Sequence, residues 1–211
     1  MKNNLLPIAK EGWNYIAGAF VAFVVFSFFD SDFLEFFAFL SILFFIYVFR
    51  NPEREIINFQ QASVISPVDG VVSAIEELKD TEYSYRVEID SSYFSVGLLR
   101  VPLTSSLIDV KVYNGSRLSK SSTSFNDLNE NATLIFSDNN KNIIKVNHRL
   151  KQSFKSIKIE AIKSQNLHQG ARYGFMVNGI TTLYLPKNFR LNLSVGSELC
   201  AAESLVGYFT K

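Results

Sequence analysis

The sequence predicts a two-part protein: an N-terminal transmembrane hairpin of two helices, then a mainly antiparallel β domain of barrel or sandwich type. Three observations predict it. Phenylalanine is crowded, with 13 of 20 between residues 20 and 59. Two apolar runs, residues 12–29 and 33–49, are parted only by Asp30, Ser31 and Asp32. From about residue 60 the chain breaks into runs of 5–9 residues separated by turn signals, the pattern of short strands. The expected division is an anchor with its flanks over residues 1–54 and a β-rich domain over 55–211.

The first run reads GWNYIAGAFVAFVVFSFF and the second FLEFFAFLSILFFIYVF. Seventeen residues of helix span about 26 Å, which just crosses a hydrocarbon layer of about 30 Å. A core helix of a soluble protein would keep a polar face, and neither run has one. Glu35 lies near the start of the second run, within reach of the interface. Trp13, Tyr15 and Tyr47 sit at run ends, where aromatic side chains suit the headgroup level. A signal peptide followed by a core helix is the alternative, but no small-residue cleavage pattern follows the first run.

Positive charge flanks the pair on both outer sides. Lys2 and Lys10 precede the first run, Arg50 and Arg54 follow the second, and the connection carries Asp30 and Asp32. The positive-inside rule then puts both ends in the cytoplasm. The expected location is the inner, cytoplasmic membrane, with the bulk of the chain on the cytoplasmic side.

The β domain is read from GVVSAI, YRVEI, YFSVGLLRV, IDVKVY, ATLIFS, NIIKV and SIKIEAI. Pro67-Val68-Asp69-Gly70, Asn114-Gly115, Asp138-Asn139-Asn140, Gly170 and Gly196 punctuate them. Residues 114–131 are polar and read as a solvated loop, long enough to ask whether it is functional. Its lysine, Lys120, could meet lipid headgroups.

Composition excludes several functions. Lys+Arg is 21 against Asp+Glu 20, so no basic surface calls for nucleic acid. A lone cysteine, Cys200, allows neither an internal disulfide nor a cysteine metal cluster. It is expected to pack as a small apolar residue. With His148 and His168 as the only histidines, no histidine-rich metal site is expected, and both read as surface or loop residues.

Four stretches in order resemble the short, membrane-anchored form of the phosphatidylserine decarboxylase family. They are FRNPER (Phe49 to Arg54), SPVDGVV (Ser66 to Val72), IDVKVYNG (Ile108 to Gly115) and GARYGFMVNGITTLYLP (Gly170 to Pro186), the last followed by VGSELCAAESLVGYF. The resemblance implies a proenzyme in which the serine of a Gly-Ser pair attacks the preceding peptide bond. The chain is cut, and the serine becomes an N-terminal pyruvoyl group. That ketone serves as electron sink when phosphatidylserine loses carbon dioxide. An aspartate and a histidine are implied as helpers of the serine.

Carried onto this chain, the family pattern fits in part. Asp69 matches the aspartate; read without the family, Asp69-Gly70 is a turn pair. Lys111 stands at the histidine's place, and a lysine with its usual pKa of about 10.4 is a poor base at neutral pH. After Gly179 the family has serine, and this chain has Ile180 and is one residue short. Isoleucine has no hydroxyl to attack or eliminate. Thr181 and Thr182 do, but threonine would yield a 2-oxobutyryl group, and a shift of one residue along a strand turns a side chain to the opposite face. His148 or His168 would have to replace the lost base.

The expectation is a non-cleaving, catalytically inert relative without the pyruvoyl group and without metal. It would act as a phospholipid-binding or accessory module at the membrane, beside a genuine decarboxylase. The rivals are an active decarboxylase with an unorthodox prosthetic group and a purely structural membrane protein.

Overall fold

A computed structural model describes residues 6–54, 62–79 and 82–210. Lys2, and the expected domain start at residue 55, lie outside them. The chain forms two compact units, one ending at Glu53 and the other beginning at Arg54.

The first unit holds a 3-10 turn, Lys10–Gly12, then helices α1 (Trp13–Phe28) and α2 (Asp32–Val48). Their aromatic rings meet in antiparallel order, Tyr15 with Phe45 at 5.5 Å and Phe23 with Phe39 at 6.4 Å. Lys10–Phe28, 19 residues long, is apolar enough to cross a membrane. At 17 residues, α2 is shorter than that. Among the described residues the fold thus has one helix of spanning length where the sequence leads one to expect two. The rest of the expected hairpin is a pair of packed helices, most of whose large apolar side chains are exposed.

The second unit is built of short strands. In chain order they are β1 (Ser63–Ile65), β2 (Gly70–Glu77), β3 (Tyr85–Ser91), β4 (Leu98–Arg100), β5 (Ser105–Tyr113), β6 (Asn131–Ser137) and β7 (Ile143–Leu150). A short helix α3 (Phe125–Leu128) precedes β6. Then come β8 (Lys158–Ile159), β9 (Asn166–Leu167), β10 (Arg172–Phe175), β11 (Gly179–Leu185), β12 (Phe189–Leu191), β13 (Glu198–Leu199) and β14 (Leu205–Phe209). All of their pairings are antiparallel. The main sheet runs β13-β2-β3-β11-β7-β6-β5-β9, and two smaller sheets run β1-β14-β12 and β4-β10-β8. Among the described residues the main sheet is open, ending at β13 and β9.

The period-2 alternation of the sequence decides which face is core. Val87 and Ile89 of β3, Leu183 and Leu185 of β11, Val146 of β7, and Leu134 and Phe136 of β6 point one way and are buried together. The intervening residues Arg86, Glu88, Asp90, Lys145, Arg149, Ile180, Thr182 and Tyr184 share the opposite face.

Two expected strands are shorter than read. Of YFSVGLLRV only Leu98–Arg100 is strand, and of SIKIEAI only Lys158–Ile159. The polar segment 114–131 is not a solvated loop. Phe125, Asn129 and Glu130 are buried, and Asn129 ties it down by donating to the carbonyls of Leu118 and Leu150. It leans over the opposite face: Arg149 donates to Asn126 at 2.9 Å and lies over the Phe125 ring, while Lys120 sits 3.9 Å from both Glu88 and Asp90. That lysine answers acids of the sheet.

Candidate functional site

The family pattern points to the start of β11. The strand follows a tight turn in which Asn178 takes the left-handed conformation (φ 56), which Asn tolerates better than most residues. Gly179 must be small, because a Cβ there would stand 2.5 Å from the Met176 sulfur and 2.7 Å from the Arg149 carbonyl oxygen. From Gly179 to Tyr184 every residue is paired on both sides, with β3 and with β7, in unbroken register. The peptide groups of this stretch are therefore committed to ladder bonds. Ile180 is buried, with Asp90 and Arg149 as cross-strand partners.

Asp69 lies near this point. Ser91 is the cross-strand partner of Gly179, and its hydroxyl donates to the Asp69 carbonyl at 2.5 Å. The Asp69 carboxylate, however, is fully engaged. Arg54 grips both oxygens at 2.6 Å, and the Ala201 N–H donates at 2.8 Å. Burial works against the Arg54 charge, but the Asp69 carboxylate prevails and raises its pKa. Asp69 here is a clamp between the two ends of the domain.

Lys111 is elsewhere. Its row across the sheet is Thr182, Asn147, Thr133, Lys111, so three strand spacings, about 14 Å, separate it from β11. Its ammonium is exposed and lies 3.6 Å from Asp109. His168 is exposed in a turn. Cys200 is exposed as well and does not pack as a core residue. It opens the turn before β14, where its N–H donates to the Ser204 hydroxyl.

The fold also makes a cluster that the sequence does not reveal. His148 of β7 and Thr181 of β11 are direct cross-strand partners, and Nδ1 lies 2.8 Å from the threonine Oγ1. On its other side Nε2 lies 2.6 Å from the hydroxyl of Tyr173, on β10. All three residues are fully buried. Burial pushes the imidazole pKa down to about 3 and the Tyr173 pKa up. At neutral pH the imidazole is therefore uncharged, with one nitrogen donating and the other accepting. His148 is thus a satisfied core histidine and not a surface residue. A hydroxyl beside a neutral imidazole is the pairing that activates a nucleophile. Here it is sealed on the core face, one residue past Ile180. Thr182 faces the other way, opposite Asn147 and Glu88.

The position after Gly179 carries the hydrocarbon side chain of Ile180, and the described residues contain no group of three His, Cys, Asp or Glu able to hold a metal ion.

An antiparallel β domain with the Arg54–Asp69 ion pair, a Gly179 corner and a preceding helix pair defines the class, and comparison with known proteins supplies the family. The model of the phosphatidylserine decarboxylase family matches residues 42–207. A phosphatidylserine decarboxylase proenzyme of Geobacter metallireducens is 31% identical over 217 residues, covering 98% of this chain and 99% of its own. Proenzymes of the same name from Geotalea daltonii and Nitrosomonas eutropha are each 28% identical, over 214 and 207 residues. They cover 100% and 96% of this chain, and 100% and 95% of their own length. No solved structure matches. The chain belongs to the phosphatidylserine decarboxylase family.

Two outcomes follow. Replacing Asp69 with Asn leaves the partly buried Arg54 without its counter-charge and should lower unfolding free energy by about 1–3 kcal/mol, read from urea melts. The second concerns His148, whose pKa is about 3 folded against about 6.5 unfolded. Above pH 6.5 it contributes no slope. Below that the unfolded chain binds a proton the folded chain refuses, so stability falls by about 1.4 kcal/mol per pH unit down to about pH 3. In His148→Gln that part of the slope should vanish; equal slopes in both proteins between pH 6 and 4 would refute the assignment.

Proposed function

We propose that this chain is a membrane-anchored, non-self-cleaving relative of the phosphatidylserine decarboxylases. On this reading it is inert as a decarboxylase and serves phospholipid (phosphatidylethanolamine) metabolism as a lipid-binding or accessory module. The observation that carries the reading is Ile180. It fills the place where the family resemblance calls for serine, inside a strand paired on both sides. Lys111, at the histidine's place, has its charge in solvent on a distant strand. Losing the nucleophile alone removes most of the rate of a group that acts as a unit. The helices α1 and α2 are read as the anchor, with both outer ends and the β domain in the cytoplasm. Arg50 stacked over Tyr47 at 4.2 Å suits the interface at the end of α2.

A second reading rests on the contact between His148 and Thr181. It would have the chain cut before Thr181 to leave a 2-oxobutyryl group. The burial of both residues and the continuous ladder oppose it.

Intact-protein mass spectrometry separates the two. The inert reading expects a single species of 23.9 kDa. Cleavage before Ile180 or Thr181 would release 211 − 179 = 32 or 211 − 180 = 31 residues. The 32-residue fragment, or a fragment beginning at Thr181 or Thr182 with a keto-bearing N-terminus, overturns the inert reading. For the anchor, a reporter fused after Lys211 should read as cytoplasmic and one placed within residues 30–32 as exported; the reverse would overturn the orientation.

A further inference from the structure

We propose that the exposed edge of β5 pairs with the same edge of a second copy of this chain, antiparallel, about a two-fold axis through Val110. The partner of β5 on its outer side, β9, covers only Ser105 and Ser106. The turn before β9 covers Leu107, whose N–H donates to the Gln165 carbonyl and whose carbonyl accepts from the Ser164 N–H. There the covering stops. Among the described residues, the stretch from Ile108 to Tyr113 makes backbone bonds only toward β6. A strand edge of this kind is a template for another strand.

The edge carries exposed apolar side chains as well as charges. Ile108, Val112 and Tyr113 are 41%, 48% and 55% exposed. The two charges among them are of opposite sign, Asp109 and Lys111. Within one copy they lie 3.6 Å apart and partly in solvent, and Lys163 stands 3.6 Å from Asp109.

Opposite charges two residues apart make the strand complementary to itself in one register. Antiparallel pairing centred on Val110 sets Asp109 against Lys111 of the second copy and Lys111 against its Asp109. Centring on Lys111 would oppose lysine to lysine, and centring on Asp109 would oppose two carboxylates. Directly opposed like charges destabilise a sheet, whereas opposite ones stabilise it. The outer edge of Leu107 is already taken, so the new pairing lies beyond it. The irregularity of β5 falls between Leu107 and Asp109, leaving Asp109 to Tyr113 regular against Ile135 to Asn131. The contact is isologous, each copy using the same patch, and it closes as a dimer.

The test is the oligomeric state of the full chain in detergent micelles, by light scattering over a concentration series. The wild type should be a dimer. Asp109→Lys and Lys111→Asp each bring like charges face to face and should weaken it at least about tenfold. The double reversal, Asp109→Lys with Lys111→Asp, restores the pairing and should restore the dimer. Circular dichroism and melting checks that each variant folds. As a second measurement, Val110→Cys in a Cys200→Ser background should form an intermolecular disulfide on air oxidation, and Tyr208→Cys in the same background should not. A monomeric wild type overturns the proposal. So does a dimer that survives both single reversals, as one held by α1 and α2 alone or by another surface would. So do a double reversal that fails to re-form the dimer and a Val110→Cys variant that is not crosslinked.

Discussion

The second unit depends on β11 being paired on both sides. A strand held by β3 and β7 over its whole length fixes which of its residues face the core and which face away, since the side-chain period is two. Leu183 and Leu185 then enter the core with Thr181, and Ile180, Thr182 and Tyr184 take the other face. The neighbours follow by register. Val87 and Ile89 turn inward with Leu183, so Glu88 and Asp90 must turn outward, where Lys151 and Lys120 meet Asp90. His148 has to lie beneath Thr181 because β7 is in that register and in no other.

The same constraint governs the start of β11, where the peptide groups are bound in the ladder and the residue after Gly179, Ile180, is a buried hydrocarbon. The hydroxyl that does meet an imidazole belongs to the core. Tyr173 completes that cluster and satisfies the second ring nitrogen, which is the ordinary condition for burying a polar side chain.

Much of this was legible in the sequence, and the gaps have physical causes. The two apolar runs mark α1 and α2 to within a residue or two, and alternation marks β2, β3, β5, β6 and β7. Ile180 after Gly179 is plain from the chain itself. The pairing of His148 with Thr181 is not, because 33 residues separate them and register arises from long-range packing. Lys111 aligns with a histidine by its neighbours, but which strand it lands beside is a property of the sheet. That Asp69 follows a bend at Pro67-Val68 and leads into β2 is local and readable. Its grip on Arg54 and on the Ala201 amide, 132 residues away, is not. The polar segment 114–131 looks solvated because its buried anchors, Phe125, Asn129 and Glu130, are few and mixed in type.

The clamp at Asp69 bears on how the chain is made. It joins the first residue of the second unit, Arg54, to the Ala201 backbone. Two strand pairs repeat the pattern, β1 with β14 and β2 with β13. The earliest strands to be synthesised thus wait for the latest, and contacts of such long range form slowly. A ribosome that has delivered everything up to β12 has still not delivered the partners of β1 or the amide that Asp69 holds. The nascent unit must stay unfinished, its edges open, until β14 has been delivered, while α1 and α2 have long since emerged.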